Sequence, residues 1–380
     1  MAGHNVKVEF FRHNLDETDV ANVTAALKGL FLTTGEWVEK FEGDLAKFAG
    51  CEHAVAVTSA TAGLHLTLAA LGIGPGDEVI TTPMSFVATA NAVIMAGATP
   101  VFVDVEPETG NLDATRLEAA ITSRTKAILP VHLYGAMCDM KAIRDIGERR
   151  GLLVVEDAAH ALEARRDGLA PGQAGAAAVF SFYATKSITS GEGGAVVTND
   201  PALAARLKAG RLHGVTKDAA GRYGKAYAHY DMAEFGWKYN MSNIQAALLI
   251  GQLPRATAMR DRREEIARRY ESAFSAMPGV RMPAVPAGAL SGRHLFTVWA
   301  DPARRDTILA QLEEHGVGVA VNYRPIHLMK YYQNRFGYRE GAFPVAERIG
   351  ASTISLPLYP KLTDAEISYV IDTFRRTSVK

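Results

Sequence analysis

The chain has 380 residues, of which 48% are apolar and 22% are charged, a composition typical of a globular protein with room for two domains. Its 41 basic residues balance its 41 acidic ones, which argues against nucleic acid as a partner and against an anionic membrane surface. The two cysteines, Cys51 and Cys138, are too few and too isolated for a disulfide scaffold, a zinc site or an iron–sulfur site, so we expect no metal.

The N-terminal sequence lacks the basic segment followed by an apolar one that a secretory signal would require. Apolar runs elsewhere are interrupted by polar residues before they reach the length of a membrane-spanning helix. We therefore expect a cytoplasmic protein without a membrane partner.

Short β-branched runs alternate with helical patterns over the first two thirds of the chain. The predicted strands are Ala54–Thr58, Glu78–Thr82, Pro100–Val105, Ala127–Val131, Leu152–Glu156, Ala177–Phe182 and Ala195–Thr198. The predicted helices between them are Ala62–Leu71, Phe86–Ala96, Ala114–Ile121 and Met140–Arg149. Strands that are apolar at successive positions are typical of a parallel sheet with helices on both faces. The pattern predicts an α/β domain with a mostly parallel sheet.

The pattern changes at Leu253-Pro254, which divides the chain into a large domain, 1–253 with its N-terminal segment, and a smaller α+β domain, 254–380. The second domain is predicted to contain the helices Arg255–Ala276 and Ala303–His315, the strands Leu295–Trp299 and Val317–Tyr323, and two further helices. The last helix begins with a capping box, from Thr363 to Glu366.

The stretch Gly214–Phe235 is rich in Gly, Tyr, His and Lys and has no clear period. Loops of this length in compact domains are usually functional or mobile, so we predict a long loop that serves substrate or partner binding.

Three segments that follow predicted strands contain chemically active groups. Ser59-Ala60-Thr61 opens a helix, where N–H groups and hydroxyls can bind an anion, although a hydroxyl there often only caps the helix. Asp157 and His160 follow the fifth strand, where the alternatives are a helix cap and a core histidine. Ser181 and Lys186 follow the sixth strand, and a lone lysine is most often a solvated surface charge.

Taken together, these groups match the requirements of pyridoxal 5'-phosphate. The cofactor needs an anion site for its phosphate, here Ala60, Thr61 and Ser181, and a carboxylate at its pyridine nitrogen, here Asp157. It also needs an amine that forms a Schiff base, here Lys186. Phe86 follows the second strand and can stack on the ring, with core packing as the alternative.

The sequence resembles the DegT/DnrJ/EryC1/StrS family of sugar aminotransferases over nearly its whole length. The segments that carry the resemblance are Thr33–Gly35, Ser59–His65, Gly72–Ala92, Pro130–Gly135, Val154–Ala161, Phe180–Lys186, Gly191–Asp200 and Lys238–Leu248. The resemblance implies fold type I of the pyridoxal-phosphate enzymes, with a sheet of the seven-stranded type and a smaller C-terminal domain. It also implies transfer of an amino group, with pyridoxamine 5'-phosphate as the intermediate form of the cofactor.

The resemblance also implies roles for residues that spacing alone does not assign. His160 would lie next to the phenolic oxygen of the cofactor, and Asn240 would reach the phosphate of the neighbouring subunit, so that a homodimer shares its active sites. Substrate contacts would come from Thr33, Thr34, Glu192, Tyr323 and His327.

Within the family, the sequence looks most like members that aminate C4 of a nucleotide-linked 4-keto sugar, such as the enzymes that make UDP-4-amino-4-deoxy-L-arabinose. L-Glutamate is the expected amino donor, and the product would serve surface polysaccharide or glycoconjugate synthesis. Lys186 favours transamination, because a dehydrating branch of the family carries His at that position. A pyridoxal-phosphate-dependent sugar dehydratase and a non-catalytic regulatory protein that binds the cofactor remain the alternatives.

Overall fold

The computed structural model describes residues 7–215 and 230–378. Its strands are β1 (His53–Val57), β2 (Glu78–Thr81), β3 (Thr99–Phe102), β4 (Thr125–Leu129), β5 (Leu153–Asp157), β6 (Ala177–Ser181), β7 (Gly194–Thr198), β8 (Phe296–Trp299) and β9 (Thr353–Leu356). Its helices up to residue 252 are α1 (Glu17–Lys28), α2 (Glu36–Ala49), α3 (Ala60–Ala70), α4 (Ala88–Met95), α5 (Leu117–Ala120), α6 (Met140–Arg150), α7 (Pro201–Gly210) and α8 (Asn243–Gln252). The later helices are α9 (Ala256–Phe274), α10 (Arg305–Glu314), α11 (Lys330–Phe336), α12 (Pro344–Ser352) and α13 (Asp364–Ser378).

The first seven strands form one sheet in the spatial order β1-β7-β6-β5-β4-β2-β3. The pairs from β3 to β6 are parallel, whereas β7 is antiparallel to both β1 and β6. The predicted α/β fold with a mostly parallel, seven-stranded sheet is therefore confirmed. Strands β8 and β9 form a separate antiparallel pair.

Successive residues of a strand belong to different cores because the side chains of a strand alternate between its faces. On β1, Val55 and Val57 belong to the same core as residues of α3 and α7, whereas Ala54 and Ala56 belong to the core on the other face, with residues of α2. Helices thus cover both faces of the sheet, which explains why its strands are apolar at successive positions.

A further core lies around β8 and β9, where α9 contributes Ile266, Tyr270 and Phe274. Val8, from the N-terminal segment, is buried in this same core and pairs with Val317. The division of the chain into 1–253 and 254–380 stays a prediction.

Two predicted elements of the second part differ from the structure. The prediction of a strand over Val317–Tyr323 is wrong. Val317 pairs only with Val8 and Ala320 pairs with Ser355, so the segment changes partners before a ladder can form. Three helices, rather than two, follow it, and the short strand β9 lies between the second and the third of them.

In the first part of the chain, the helix expected over Ala114–Ile121 is instead a 3₁₀ turn followed by the four-residue α5.

The loop predicted at Gly214–Phe235 lies largely outside the described residues, which leave out 216–229. In the part of the chain that the structure describes, no helix is both long and apolar enough to cross a bilayer.

The capping box predicted for the last helix is present: the backbone N–H of Thr363 donates to Glu366 Oε2 at 2.8 Å, and the N–H of Glu366 donates to Thr363 Oγ1 at 3.2 Å. We expect Thr363→Ala to lower the free energy of unfolding by about 1 kcal/mol, because the first turn of α13 loses its side-chain acceptor. Urea unfolding measures the change, with Ser368→Ala, at an exposed position of the same helix, as the control. Equal stabilities for the two variants would contradict the assignment of the cap.

Candidate active site

A cavity of about 600 Å³ opens at one edge of the large sheet. Strands β1, β2, β4, β5 and β6 end at this edge, and the antiparallel β7 begins there. The predicted site residues that line the cavity are Ala60, Thr61, Phe86, Asp157, His160, Ser181, Lys186, Glu192 and Tyr323. Groups from distant parts of the chain therefore meet at the place where open α/β sheets bind their ligands.

Lys186 lies in the loop between β6 and β7. Phe182 and Ile188 anchor the two sides of the loop in the core, and the Lys186 N–H donates to the carbonyl of Tyr183 at 2.9 Å. The side chain faces the cavity rather than bulk solvent, so the alternative of a solvated surface lysine is wrong. Burial lowers the pKa of Lys186 to about 8, and the nearby Asp157 opposes this shift.

Asp157 is the last residue of β5, and its carboxylate is buried. Thr89 Oγ1 donates to Asp157 Oδ2 at 2.7 Å, and the backbone N–H of Ala159 donates to Oδ1 at 3.1 Å. Burial raises the pKa of the Asp157 carboxyl, while Thr89, Ala159 and Lys186 act to lower it. The two donors stabilise the charged form of a group that burial alone would protonate.

The N-terminus of α3 forms the anion site. Ser59 caps this helix, since its Oγ accepts from the Ala62 N–H at 3.1 Å, and the N–H groups of Ala60 and Thr61 lie in the first turn, where a helix makes no internal bond. Gly194 begins β7 beside this turn, and a Cβ there would lie 2.5 Å from the Ala60 nitrogen. Only glycine allows β7 to run this close to the helix end.

Aromatic rings form the walls of the cavity. Phe86 has 58% of its surface exposed and a ring centroid 6.1 Å from that of Tyr323, so it belongs to the cavity and not to the core. The Tyr323 hydroxyl lies 3.0 Å from His160 Nε2, and the two rings stack at 6.0 Å. His160 Nδ1 is buried and has no hydrogen-bond partner among residues 7–215 and 230–378.

Asn240, Thr33 and Thr34 lie together but do not line this cavity. Asn240 Nδ2 donates to Thr34 Oγ1 at 2.8 Å and approaches Thr33 Oγ1 at 3.4 Å. Within one chain, none of these residues contributes to the lining of the cavity that Lys186 faces.

His327 is placed elsewhere as well. Its side chain is fully buried beside Phe343 and pairs with Glu347, with Nε2 and Oε1 2.8 Å apart. A side chain without exposed surface cannot contact a substrate, so we no longer propose His327 as a substrate contact.

Two residues of the site were not predicted from the sequence. The first is Thr89, whose hydroxyl donates to Asp157. Thr89 lies in α4, the helix that follows β2 in the chain, and this position is only a weak indication that its side chain would face the cavity. His294 Nε2 lies 3.3 Å from Lys186 Nζ, across 108 residues of chain, and no local sequence pattern indicates this contact.

The cavity residues fit pyridoxal 5'-phosphate. The helix end and Ser181 can hold the phosphate, Asp157 can hold the ring nitrogen, and Lys186 supplies the amine. Two observations support the fit independently of residue type: the close approach of β7 to the helix end that Gly194 permits, and the unpartnered buried nitrogen of His160.

Comparison with known proteins identifies the family. The profile of the DegT/DnrJ/EryC1/StrS aminotransferase family matches residues 13–375. The chain belongs to this family. Its cofactor is pyridoxal 5'-phosphate, and it is an aminotransferase of the sugar aminotransferase type.

Three relatives illustrate the similarity. The spore coat polysaccharide biosynthesis protein SpsC of Bacillus subtilis is 44% identical over 95% of this chain and 94% of its own length. The putative sugar aminotransferase Spr1654 from Streptococcus pneumoniae, solved in PMP and PLP forms, superimposes in its PMP form with a TM-score of 0.92 and 32% identity, covering 98% of this chain and 99% of that one. DesI, solved in the presence of its TDP-sugar product, has a TM-score of 0.87 and 33% identity, covering 98% of this chain and 93% of that one.

We expect Thr89→Val to raise the dissociation constant of the cofactor by about 10-fold or more, because a hydrogen bond to a charged group contributes about 1.5–3 kcal/mol. Without this donor the pKa of Asp157 rises further, so the loss of affinity grows as the pH falls. A titration of the apoprotein with cofactor, followed by absorbance, measures the effect. Thr89→Ser keeps the hydroxyl and is the matched control, and an unchanged constant for Thr89→Val would contradict the role of this bond.

Proposed function

We propose that the protein transfers an amino group from L-glutamate to C4 of a UDP-linked 4-keto sugar, giving an amino sugar for surface polysaccharide or glycoconjugate synthesis. The observation that carries this proposal is the convergence of Lys186, Asp157 and the N-terminus of α3 on one cavity. This arrangement provides an amine, a carboxylate and an anion site within reach of a single bound cofactor.

Lys186 is proposed as the residue that attaches the cofactor and moves protons. With a pKa of about 8, roughly a tenth of the amine is uncharged at pH 7, far more than in an ordinary lysine, and only the uncharged amine is a nucleophile or a base. Once the donor has displaced it, Nζ takes the proton from the α-carbon of the donor. It would then deliver this proton to the cofactor carbon to which it had been attached, and hydrolysis would release the 2-oxo acid and leave the amino group on the cofactor.

The other cavity residues orient the cofactor. When bound, pyridoxal phosphate supplies an electron-withdrawing ring that stabilises negative charge on the carbon that loses its proton. Asp157, whose charged form is stabilised by Thr89 and the Ala159 N–H, would face the ring nitrogen and keep it protonated. Phe86 would cover one face of the ring, and His160 would bind its phenolic oxygen.

The mouth of the cavity supports a polar, carbohydrate-sized substrate. Glu192, Tyr183, Asn322 and Tyr323 line it and offer a carboxylate, two phenols and an amide. Hydrogen-bonding side chains of this kind match the hydroxyls of a sugar. The same substrate class is supported by SpsC, a polysaccharide biosynthesis protein, by Spr1654, a putative sugar aminotransferase, and by DesI, which was solved in the presence of its TDP-sugar product.

A homodimer with shared active sites is part of the proposal. The Asn240 amide lies outside the cavity of its own chain and would reach the phosphate bound by the partner. Near it, the chain exposes apolar side chains, including Leu30 at 88% and Phe235 at 72%. The backbone N–H of Asn243 donates to the carbonyl of Leu32, which joins the two segments. Large exposed apolar side chains on two segments that bond to each other are typical of an interface.

The first half of the reaction is tested without the sugar. Addition of L-glutamate to the protein loaded with pyridoxal phosphate should abolish the visible absorbance of the lysine-bound cofactor and release one equivalent of 2-oxoglutarate per site. An absorbance that glutamate leaves unchanged would contradict this donor. Conversion of a keto sugar without release of a 2-oxo acid would indicate a dehydratase instead.

Lys186→Arg tests the role of the lysine. The guanidinium remains protonated in proteins, so it is neither a nucleophile nor a base, and we expect turnover to fall below detection. The variant should still bind pyridoxal phosphate, since the anion site and Asp157 are unchanged, and equilibrium dialysis checks this. Turnover by Lys186→Arg would contradict the role assigned to Lys186.

Mixing inactive variants tests the shared site. Lys186→Ala and Asn240→Asp should each be inactive, because one lacks the amine and the other places a charge against the phosphate. In a mixed dimer with shared sites, one site carries both defects and the other carries none. Refolding the two variants together should therefore restore activity to about a quarter of the wild-type value. No recovery, with mixed dimers verified by mass, would contradict the contribution of Asn240 across the interface.

A further inference from the structure

His294 is the nearest hydrogen-bonding partner that the structure gives to the amine of Lys186. It lies two residues before β8, is buried, and places Nε2 3.3 Å from Lys186 Nζ. Both residues also line a small cavity of about 30 Å³ on the side of Lys186 that faces Arg12 and Tyr359. The contact therefore connects Lys186, which lines the main cavity, with the segment that leads into β8.

The backbone before His294 is held in an unfavourable conformation. Arg293 has a φ of 47°, in the left-handed region that costs a non-glycine residue of order 1–3 kcal/mol and that is common at functional sites. Its side chain forms ion pairs with Glu264 at 2.8 Å and Glu271 at 2.9 Å, both on α9. The N–H of His294 donates to the carbonyl of Tyr134 at 3.1 Å. These bonds turn the imidazole toward Lys186.

Arg263 holds both sides of the contact. This buried guanidinium, only 3% exposed, donates to the carbonyls of Gly292 and Arg293 at 3.0 and 2.9 Å, just before His294. It also donates to Ser187 Oγ at 3.1 Å, directly after Lys186, and to the Glu163 carboxylate at 2.8 Å. A single side chain of α9 thus fixes the relative position of the two segments.

The charges around the contact favour neutral imidazoles. The rings of His160 and His294 are tilted by 38° with centroids 4.4 Å apart, and burial, with the positive charge of Lys186 second, lowers the pKa of both well below the ordinary value. Arg263 adds to this effect on His294, and Asp157 is the anion that acts on Lys186. A neutral imidazole can accept through Nε2 when its proton is on Nδ1.

We propose that His294 is a positioning residue, whose Nε2 accepts a hydrogen bond from Lys186 Nζ whenever the amine is not attached to the cofactor. An uncharged amine has two N–H groups and one lone pair. Donation of one N–H to His294 leaves the lone pair free to face the cavity. A carboxylate in the same place would bind the ammonium form more strongly and would hold the amine in the unreactive state. This inference rests on the proposed role of Lys186.

The test follows attachment of pyridoxal phosphate to the apoprotein, measured as the rate at which the visible absorbance appears from neutral to alkaline pH. The ionisations of the cofactor are common to all variants, so a difference in midpoint reports on the protein. We expect His294→Glu to raise the midpoint by about one to three pH units, because an adjacent carboxylate favours the ammonium. His294→Gln keeps a neutral acceptor and should keep the midpoint.

Two further variants complete the design. His294→Leu removes the acceptor and should lower the plateau rate about 10-fold without raising the midpoint, since the amine loses its orientation. His315→Glu makes the same exchange at an exposed histidine and should change neither quantity. Near-ultraviolet circular dichroism checks that each variant is folded. If His294→Leu does not fold, the comparison of His294→Glu with His294→Gln tests the inference.

An unshifted midpoint for folded His294→Glu, or an unchanged plateau for folded His294→Leu, would overturn the inference while leaving the proposed function intact. Lys186→Ala separates the two: attachment of the cofactor to this variant with the wild-type absorbance would instead refute the role of Lys186.

Discussion

The direction of one strand determines where every group of the cavity lies. β7 runs antiparallel between β1 and β6, so it begins at the edge where its neighbours end. Its first residue, Gly194, lies against the first turn of α3 because it has no side chain. The helix end can therefore approach the strand ends that carry Asp157 and the Lys186 loop. Without this close contact, the anion site and the two reactive side chains would not share a cavity.

Burial raises the pKa of Asp157 and lowers the pKa of Lys186, the two reactive groups in this cavity. It disfavours the charge of Asp157 and that of Lys186 alike, and contacts in the cavity oppose both shifts without reversing either. Two N–H or O–H donors stabilise the carboxylate, whereas the amine contacts an imidazole. The donors make the carboxylate easier to ionise than burial alone would allow, and the amine loses its proton more readily than an ordinary lysine, which is the combination that amine transfer needs.

The strand-end residues were predictable because the signal is local. Asp157 and Lys186 each follow an apolar run, and the ends of parallel strands meet at one edge. His294 was not predictable, since its contact with Lys186 depends on a left-handed residue and on bonds to α9 that no short pattern encodes. The prediction that His327 contacts the substrate is wrong for a similar reason. The resemblance indicated only the residue type, whereas contacts with Glu347 and Phe343 bury the side chain.

The predicted fold shows the same division. Runs that are buried on both faces, such as β1 and β5, were found within one residue of their ends, because hydrophobicity alone defines them. The segment Val317–Tyr323 also contains β-branched residues, but it forms no regular strand. It pairs first with the N-terminal segment, at Val8, and then with β9, at Ser355. Strand pairing at such a distance depends on tertiary packing, which a single sequence does not specify.

The guanidinium of Arg263 makes the reactivity of the amine depend on the cohesion of a different core. Proteins open in cooperative units of unequal stability, and α9 belongs to the core around β8 and β9. If that unit opens first on heating, Gly292 and Ser187 lose their common donor, and water reaches the amine while the seven-stranded sheet is still folded. Hydration would return Lys186 toward the protonation of an ordinary lysine. Inactivation would then precede any loss of secondary structure from the large sheet.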